Sequence, residues 1–358
     1  MMFYKLAGVR HFDYASDRAI YRVPFERNAA LALLAAAVAA PWVLSDLTIT
    51  SYLLPWLVWT AAALGLNLVV GWAGQMHLGY AAVMGVGAYT ATHAARAGLP
   101  WELGFVLGGL ASALVGSVFS IAALRVKGLY LAITTLAMQF VIDWSVTHVP
   151  AISGGALASL RAPDLALAGI KITGTAGYYY VALAWCVMVT LFMLNLRRTA
   201  LGRALVAVRE KDYAAEILGV RSFKFKFVGF AASSFIAGVS GAVLVAAFYH
   251  MVTPEQFSTH VSIQVLAMVI VGGLGSVIGT YFGTALILIM PGIIAALFDG
   301  VTGALQMQVN VETLAHLPKA VYGALIMGCL LWEPLGLGRL YGNLRSYLMV
   351  WPFGYVKK

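Results

Sequence analysis

Long apolar stretches separated by short polar connections account for most of the chain. An α-helix needs about 20 consecutive apolar residues to cross a bilayer. The pattern predicts spans at residues 28–47, 53–72, 78–95, 102–124, 129–149, 177–195, 228–248, 261–275, 280–298 and 318–332. The predicted fold class is an all-α polytopic membrane protein with about ten transmembrane helices. Residues 28–332 form the transmembrane domain, between an N-terminal segment, 1–27, and a tail, 333–358.

Composition and charge agree with this class. The chain is 61% hydrophobic and only 10% charged, whereas soluble domains are about one-quarter charged. The net charge of +9 would suit a nucleic-acid partner, but its distribution follows the membrane. If the N-terminus is cytoplasmic, all the Lys and Arg residues lie on that side except Arg96, Arg161, Lys171 and Lys319. The positive-inside rule then predicts that both termini are cytoplasmic, with the lipid bilayer and no nucleic acid as partner.

Glycine is concentrated in two runs between spans. The chain has 37 glycines, and the runs comprise Gly65, Gly71, Gly74, Gly79, Gly85 and Gly87, then Gly272, Gly273, Gly275, Gly279 and Gly283. Glycine allows close helix approach and interruptions at membrane depth. The runs indicate either an internal repeat of broken helices or tight packing alone. Neither is a nucleotide-binding loop, because the strand and the Lys of that motif are missing.

Residues 196–227 are a basic, polar segment between two spans. A helix is predicted near residues 202–219, with a glycine at its end. Charges of both signs suit a specific partner, and apolar residues would form a small anchor: Ala207, Val208, Ala215, Ile217 and Leu218. The alternative is a solvated connector. The longest outer loop, 150–177, is a candidate docking surface or a flexible Gly/Ala loop, and the amphipathic tail is predicted to lie at the membrane interface.

Enzyme and nucleotide motifs are missing from the sequence. It contains no Gly-x-x-x-x-Gly-Lys-Ser/Thr, no His-Glu-x-x-His and no Gly-x-Ser-x-Gly. The chain is therefore predicted to be a transport subunit without catalytic residues, metal or cofactor. If ATP drives it, another subunit must bind the nucleotide.

Four separate segments resemble one transporter family. They are residues 65–80 with 87–89, residues 124–136, residues 202–210 with 219–220, and residues 271–279 with 333–336. Across about residues 50–340 the chain resembles the M-type (LivM-like) permease subunit of branched-chain amino acid ABC importers. The resemblance implies an H-type permease partner, two cytoplasmic ATPase subunits that bind ATP, an extracytoplasmic solute-binding protein and a bacterial inner membrane. Whether two unlike permease chains or two copies of this one pair is left open.

The resemblance also implies a role for the segment 196–227, as the loop that couples ATP hydrolysis to transport. Tyr213 stands where importer permeases commonly carry Glu in a Glu-Ala-Ala-x-x-x-Gly loop, so any ion pair must come from Glu210, Asp212 or Glu216. The candidate coupling residues are Gly202, Arg203, Arg209, Glu210, Asp212, Ala215 and Gly219.

Polar residues inside or beside the spans are candidates for the solute path: Asn67, Gln75, Thr134, Thr135, Gln139 and Asp143. Each needs a hydrogen-bond partner inside the hydrocarbon core of the membrane. They therefore either line a translocation route near residues 71–79 or form hydrogen bonds between helices. Family members often carry Glu and, three residues later, Arg where this chain has Phe140 and Asp143. The solute is therefore a branched-chain amino acid or another small molecule, such as an aromatic acid, an amide or urea. An ion-coupled transporter is the further alternative, but it leaves the basic segment unexplained.

Overall fold

The computed structural model describes residues 24–123, 129–153, 159–304 and 335–350, with 321, 323–324, 327–328, 331 and 333. Most of the predicted segment 1–27 and span 318–332, residues 124–128 and 154–158, and the end of the tail lie outside the described residues. The helices are α1 Pro24–Val43, α2 Asp46–Trp72, α3 Tyr80–Arg96, α4 Trp101–Ala123, α5 Leu129–His148, α6 Pro150–Ser153, α7 Thr175–Leu196, α8 Ala200–Glu210, α9 Asp212–Ile217, α10 Ser222–Tyr249, α11 Thr259–Gly272, α12 Val277–Ala304 and α13 Leu337–Val350.

Five of these helical stretches are long and apolar enough to cross a membrane, counted over the described residues: Asp46–Trp72, Trp101–Ile121, Thr175–Leu196, Ser222–Tyr249 and Val277–Ile294. The most apolar parts of α2 and α10 are 89% and 78% buried, against 33–39% for the other three. Helices α2 and α10 therefore form the centre of the bundle, and α4, α7 and α12 present apolar side chains outward. The structure confirms a mostly helical protein, while the total of ten spans stays a prediction.

Small residues bring the central helices into backbone contact. A Cβ added at Gly87 of α3 would lie 2.3 Å from the backbone of Gly238 of α10, and one at Gly238 would lie 2.3 Å from Ser112 Oγ of α4. Ser233 of α10 also donates to the carbonyl of Gly65 at 2.6 Å. Small residues at helix interfaces are typical of membrane bundles, in which van der Waals contact and interhelical hydrogen bonds drive association.

Two predicted helix boundaries are wrong. The connection expected at residues 48–52 is helical, and the chain breaks instead at residues 44–45, where the Ser45 hydroxyl accepts from the Thr48 N–H and caps α2. The single helix expected near residues 202–219 is two helices, because Lys211 adopts an extended conformation between α8 and α9 (φ −153°, ψ 93°). Propensity alone gave no sign of the second break.

The described part of the predicted outer loop 150–177 has regular structure. Strand β1 Leu160–Arg161 pairs antiparallel with β4 Met251–Val252, and β2 Ala166–Leu167 pairs with β3 Ile170–Lys171 in a hairpin. The loop is also fixed to the start of α4, since the Trp101 indole donates to the Asp164 carbonyl at 3.2 Å. A short 3-10 helix, Pro254–Phe257, follows β4.

Candidate translocation and coupling site

The two glycine runs meet in space. We call the contact between residues 67–75, around the end of α2, and residues 272–280, from the end of α11 to the first turn of α12, the glycine junction. Asn67 is its centre: the amide nitrogen donates to the Ser276 carbonyl (3.1 Å) and to Thr280 Oγ1 (2.8 Å), and the amide oxygen accepts from the Gly275 N–H (2.7 Å). This bonding pattern defines which end of the amide is which.

Glycine is required at the junction for two different reasons. A Cβ at position 71 would lie 1.9 Å from Asn67 Oδ1 and 2.4 Å from the Gly275 nitrogen, so the backbones touch there. Gly275 has φ +85°, a conformation that side chains disfavour. The Trp72 indole then donates to the Gly275 carbonyl at 3.1 Å. The junction is thus a backbone contact held by side-chain hydrogen bonds.

Gln75 closes the end of α2. Its N–H donates to the Val69 carbonyl at 3.1 Å, and its side-chain amide donates to the Ala73 carbonyl at 3.3 Å. Gly74, beside it, has φ +67°. Carbonyls in the last turn of a helix lack intrahelical partners, so the half-buried Gln75 supplies two of the missing donors.

The start of α3 receives its acceptors from two other helices. The Leu78 N–H donates to Thr135 Oγ1 (3.0 Å), the Ala81 N–H to Ser262 Oγ (2.8 Å) and the Ala82 N–H to Gln139 Oε1 (3.0 Å). The first amides of a helix need such partners. Thr135 and Gln139 therefore form hydrogen bonds between helices. The sequence had left this role open for them as the alternative to lining the solute path.

Gln139 uses its full hydrogen-bonding capacity. Its oxygen also accepts from Ser262 Oγ (2.8 Å), and its nitrogen donates to the Phe257 carbonyl (2.8 Å) and to the Asp143 carboxylate (2.9 and 3.1 Å). Asp143 is half-buried on α5. Thr134, also half-buried, donates to the carbonyl of Tyr130 in its own helix at 2.8 Å. Thr134 and Asp143 are thus half-buried, whereas Thr135 and Gln139 on the same helix are buried.

Several polar partners in this network were missed from the sequence. Ser262, Ser276 and Thr280 are hydroxyl residues in or beside apolar stretches, and the sequence gave them no role. Their hydroxyls would have been the signal, because Asn67 and Gln139 each need several partners in an apolar environment. Trp72 gave no comparable signal.

The first half of the predicted coupling segment packs inward. Thr199 caps α8 by accepting from the Gly202 N–H at 3.3 Å. Gly202 crosses the end of α7 closely, since a Cβ there would lie 2.2 Å from the Leu196 carbonyl oxygen. Leu205 and Val208 are buried against the bundle. Helix α8 therefore packs against the membrane-spanning helices.

The second half, around α9, buries one apolar residue and exposes three large ones. Ala215 of α9 is buried, and Asp212 pairs with Lys226 of α10 at 2.8 Å. Gly219, at φ +87°, ends the segment, and the Val220 N–H returns to the Ala215 carbonyl. The side chains of Tyr213, Ile217 and Leu218 are 78%, 70% and 83% exposed. Val208 and Ala215, expected in the partner anchor, instead pack within the chain, because each faces the bundle.

The charged candidates of α8 point in different directions. Arg203 donates to the Arg198 carbonyl at 2.7 Å, within the same segment. Glu210 is exposed. Arg209 donates to the carbonyl of Gly71, in the glycine junction.

Within the described ranges, no group of three or more His, Cys, Asp or Glu side chains is placed to hold a metal ion.

Sequence comparison decides the family. The family model described as the branched-chain amino acid transport system / permease component matches residues 48–330, which include the glycine junction and residues 196–227. The chain belongs to this family. It is a helical, multi-pass membrane permease of the ABC importer class. No solved structure matches it.

The relatives of this permease carry matching names. The high-affinity branched-chain amino acid transport system permease protein LivM of Escherichia coli (strain K12) is 30% identical over 86% of this chain and 73% of its own length. LivM of Salmonella typhimurium gives the same values. The probable branched-chain amino acid transport permease protein LivM of Methanocaldococcus jannaschii is 24% identical over 66% of this chain and 67% of its own.

Proposed function

We propose that this permease forms one half of the membrane pore of an importer for branched-chain amino acids. Its partners are an H-type permease, two cytoplasmic ATPase subunits that hydrolyse ATP, and an extracytoplasmic binding protein that delivers the solute. The membrane is the bacterial inner membrane, with both termini in the cytoplasm. The names of the relatives support the solute. The sequence lacks the Gly-x-x-x-x-Gly-Lys-Ser/Thr loop, so ATP binds to the partner subunits.

The exposed apolar patch of the coupling segment carries this proposal. Tyr213 and Ile217 project from the six-residue helix α9, and Leu218 follows at its C-cap. The segment that holds them connects the long apolar helices α7 and α10. An open groove of about 460 Å³ lies beside them, lined by Glu216, Gly219, Val220, Arg221, Ser222 and Phe223. Adjacent exposed apolar residues mark interaction sites, and a few such residues dominate binding energy. We assign this patch as the contact with the ATPase.

The experiment is a charge placed in that patch. Leu218→Asp should reduce co-purification of the ATPase subunits and ATP-driven uptake in proteoliposomes by at least tenfold, because a carboxylate would be buried in the interface. The matched control is Ile170→Asp in the β2–β3 hairpin, at another exposed apolar residue (71%, against 83% for Leu218). It should leave ATPase binding unchanged. Normal ATPase binding and uptake in Leu218→Asp would refute the proposed docking.

We propose that the solute path passes the half-buried Asp143 of α5. The carboxylate of Asp143 is oriented by Gln139, and an ionisable group within a span is functional by default. Asp143→Asn should lower uptake without loss of folded protein. Uptake that falls only in proportion to the amount of folded protein would rule out this path.

A further inference from the structure

Arg209 connects the coupling segment to the glycine junction. It lies in the last turn of α8, yet its guanidinium extends to the end of α2, where Nη1 donates to the Gly71 carbonyl. A methyl group added at Gly74 would lie 3.0 Å from Arg209 Cγ, and one at Gly275 would lie 3.3 Å from Nη1. The side chain thus reaches both chain segments that form the junction.

The bond is electrostatically favourable. Helix α2 ends at Trp72, so the Gly71 carbonyl is among the last carbonyls of the helix and has no N–H from a following turn. Partial negative charge accumulates at such an end, and a cation there stabilises it. The guanidinium stays charged and holds its donors in a fixed plane, so the bond defines where the end of α8 lies relative to α2.

Movement at this point is shared by two membrane helices. Asn67 and Trp72 bind α2 to the Gly275 and Ser276 backbone, and α12 begins at Val277. A force applied through Arg209 therefore acts on the end of α2 and, through the junction, on the start of α12. Arg203, by contrast, bonds to the backbone of its own segment.

We propose that Arg209 is the positioning residue that carries displacement of the coupling segment into the glycine junction, and that it is not an ATPase contact. This inference rests on the proposed function, in which the ATPase grips the patch of Tyr213, Ile217 and Leu218. The ATPase pulls on α9, α8 follows, and the guanidinium moves the end of α2.

The test separates ATPase binding from coupling. Arg209→Gln is assembled with the ATPase subunits in proteoliposomes, and ATP hydrolysis, uptake and ATPase co-purification are measured together. Recruitment should stay within twofold of wild type, while the ATP hydrolysed per solute imported should rise at least tenfold. Arg209→Lys should give an intermediate ratio, because the ammonium offers a single point charge. The matched control, Arg27→Gln on α1, should give the wild-type ratio.

Two outcomes of the variant assay would overturn the proposal. A wild-type ratio in Arg209→Gln would show that the bond transmits nothing, and loss of ATPase recruitment would place Arg209 in the ATPase interface. If Leu218→Asp bound the ATPase normally, the proposed function would be the part that fails. Hydrogen exchange of the wild-type complex tests the same proposal without any substitution. ATP should alter exchange at residues 71–75 together with residues 200–218, and a change confined to 200–218 would also overturn the proposal.

Discussion

Gly71→Ala should damage the glycine junction more than one methyl group ordinarily would. The new Cβ would lie 1.9 Å from Asn67 Oδ1 and 2.4 Å from the Gly275 nitrogen, whereas ordinary contacts are 3.4 Å or longer. The 2.7 Å bond between Asn67 and the Gly275 N–H must therefore break, or the backbones must separate by about 1 Å.

The expected cost follows from two effects. Overpacking of a tight core costs about 1–3 kcal/mol, and loss of a buried hydrogen bond adds about 1 kcal/mol. The better helix propensity of Ala recovers at most about 1 kcal/mol. A net loss of roughly 1–3 kcal/mol is therefore expected from these terms, together with loss of ATP-driven uptake.

Unfolding by SDS in mixed micelles, paired with uptake in proteoliposomes, measures both effects. Gly342→Ala is the control, because this glycine of α13 has no atom within 4 Å of the added methyl group. Removing the Asn67 side chain as well should not rescue Gly71→Ala, since the Gly275 nitrogen still blocks the methyl group. Wild-type stability and uptake in Gly71→Ala would refute the backbone contact on which the junction depends.

Three further outcomes are expected. Gln139→Leu should lower the free energy of unfolding in mixed micelles by about 2–4 kcal/mol, because several buried partners lose their hydrogen bonds. Thr134→Ala removes a hydrogen bond within one helix and should lower it by less than about 1 kcal/mol. Equal losses in the two variants would contradict the hydrogen-bond network around Gln139. A side chain at position 219 would meet open space, but the backbone there has φ +87°. Gly219→Leu should therefore lower the free energy of unfolding by about 1–2 kcal/mol and reduce uptake, while the protein still inserts. Unchanged uptake would show that residue 219 belongs to a simple connector. In intact cells, an impermeant thiol reagent should label Lys171→Cys and not Glu210→Cys, and the reverse pattern would invert the proposed topology.

Sequence predicted the class of element better than the contacts between elements. The apolar run around residues 53–72 indicated a span because helix length and hydrophobicity are local properties. That Asn67 bonds to Ser276 and Thr280 could not be read from the chain, since these partners lie more than 200 positions away. The sequence identified a buried amide in need of partners, and only the fold supplied them.

The coupling segment illustrates the same limit. Its charge and its terminal glycine are visible in the sequence, and they located the segment between two spans. The sequence did not reveal that Ala215 faces the bundle while Tyr213 and Ile217 face away, because the break at Lys211 resets the helical phase. Nor did it indicate that Arg209 turns toward the glycine junction, since the direction of a long flexible side chain depends on tertiary contacts.

Backbone contacts such as those between Gly87 and Gly238 restrict how this chain can evolve. A clash between two side chains can be relieved by shortening one of them, so substitutions at such positions tend to appear in compensating pairs. Gly87 meets main-chain atoms, and no exchange of residue type removes main chain. Mutational drift at Gly87 should therefore be blocked without leaving correlated changes, and genetic suppressors of a Gly87 substitution should be absent at Gly238.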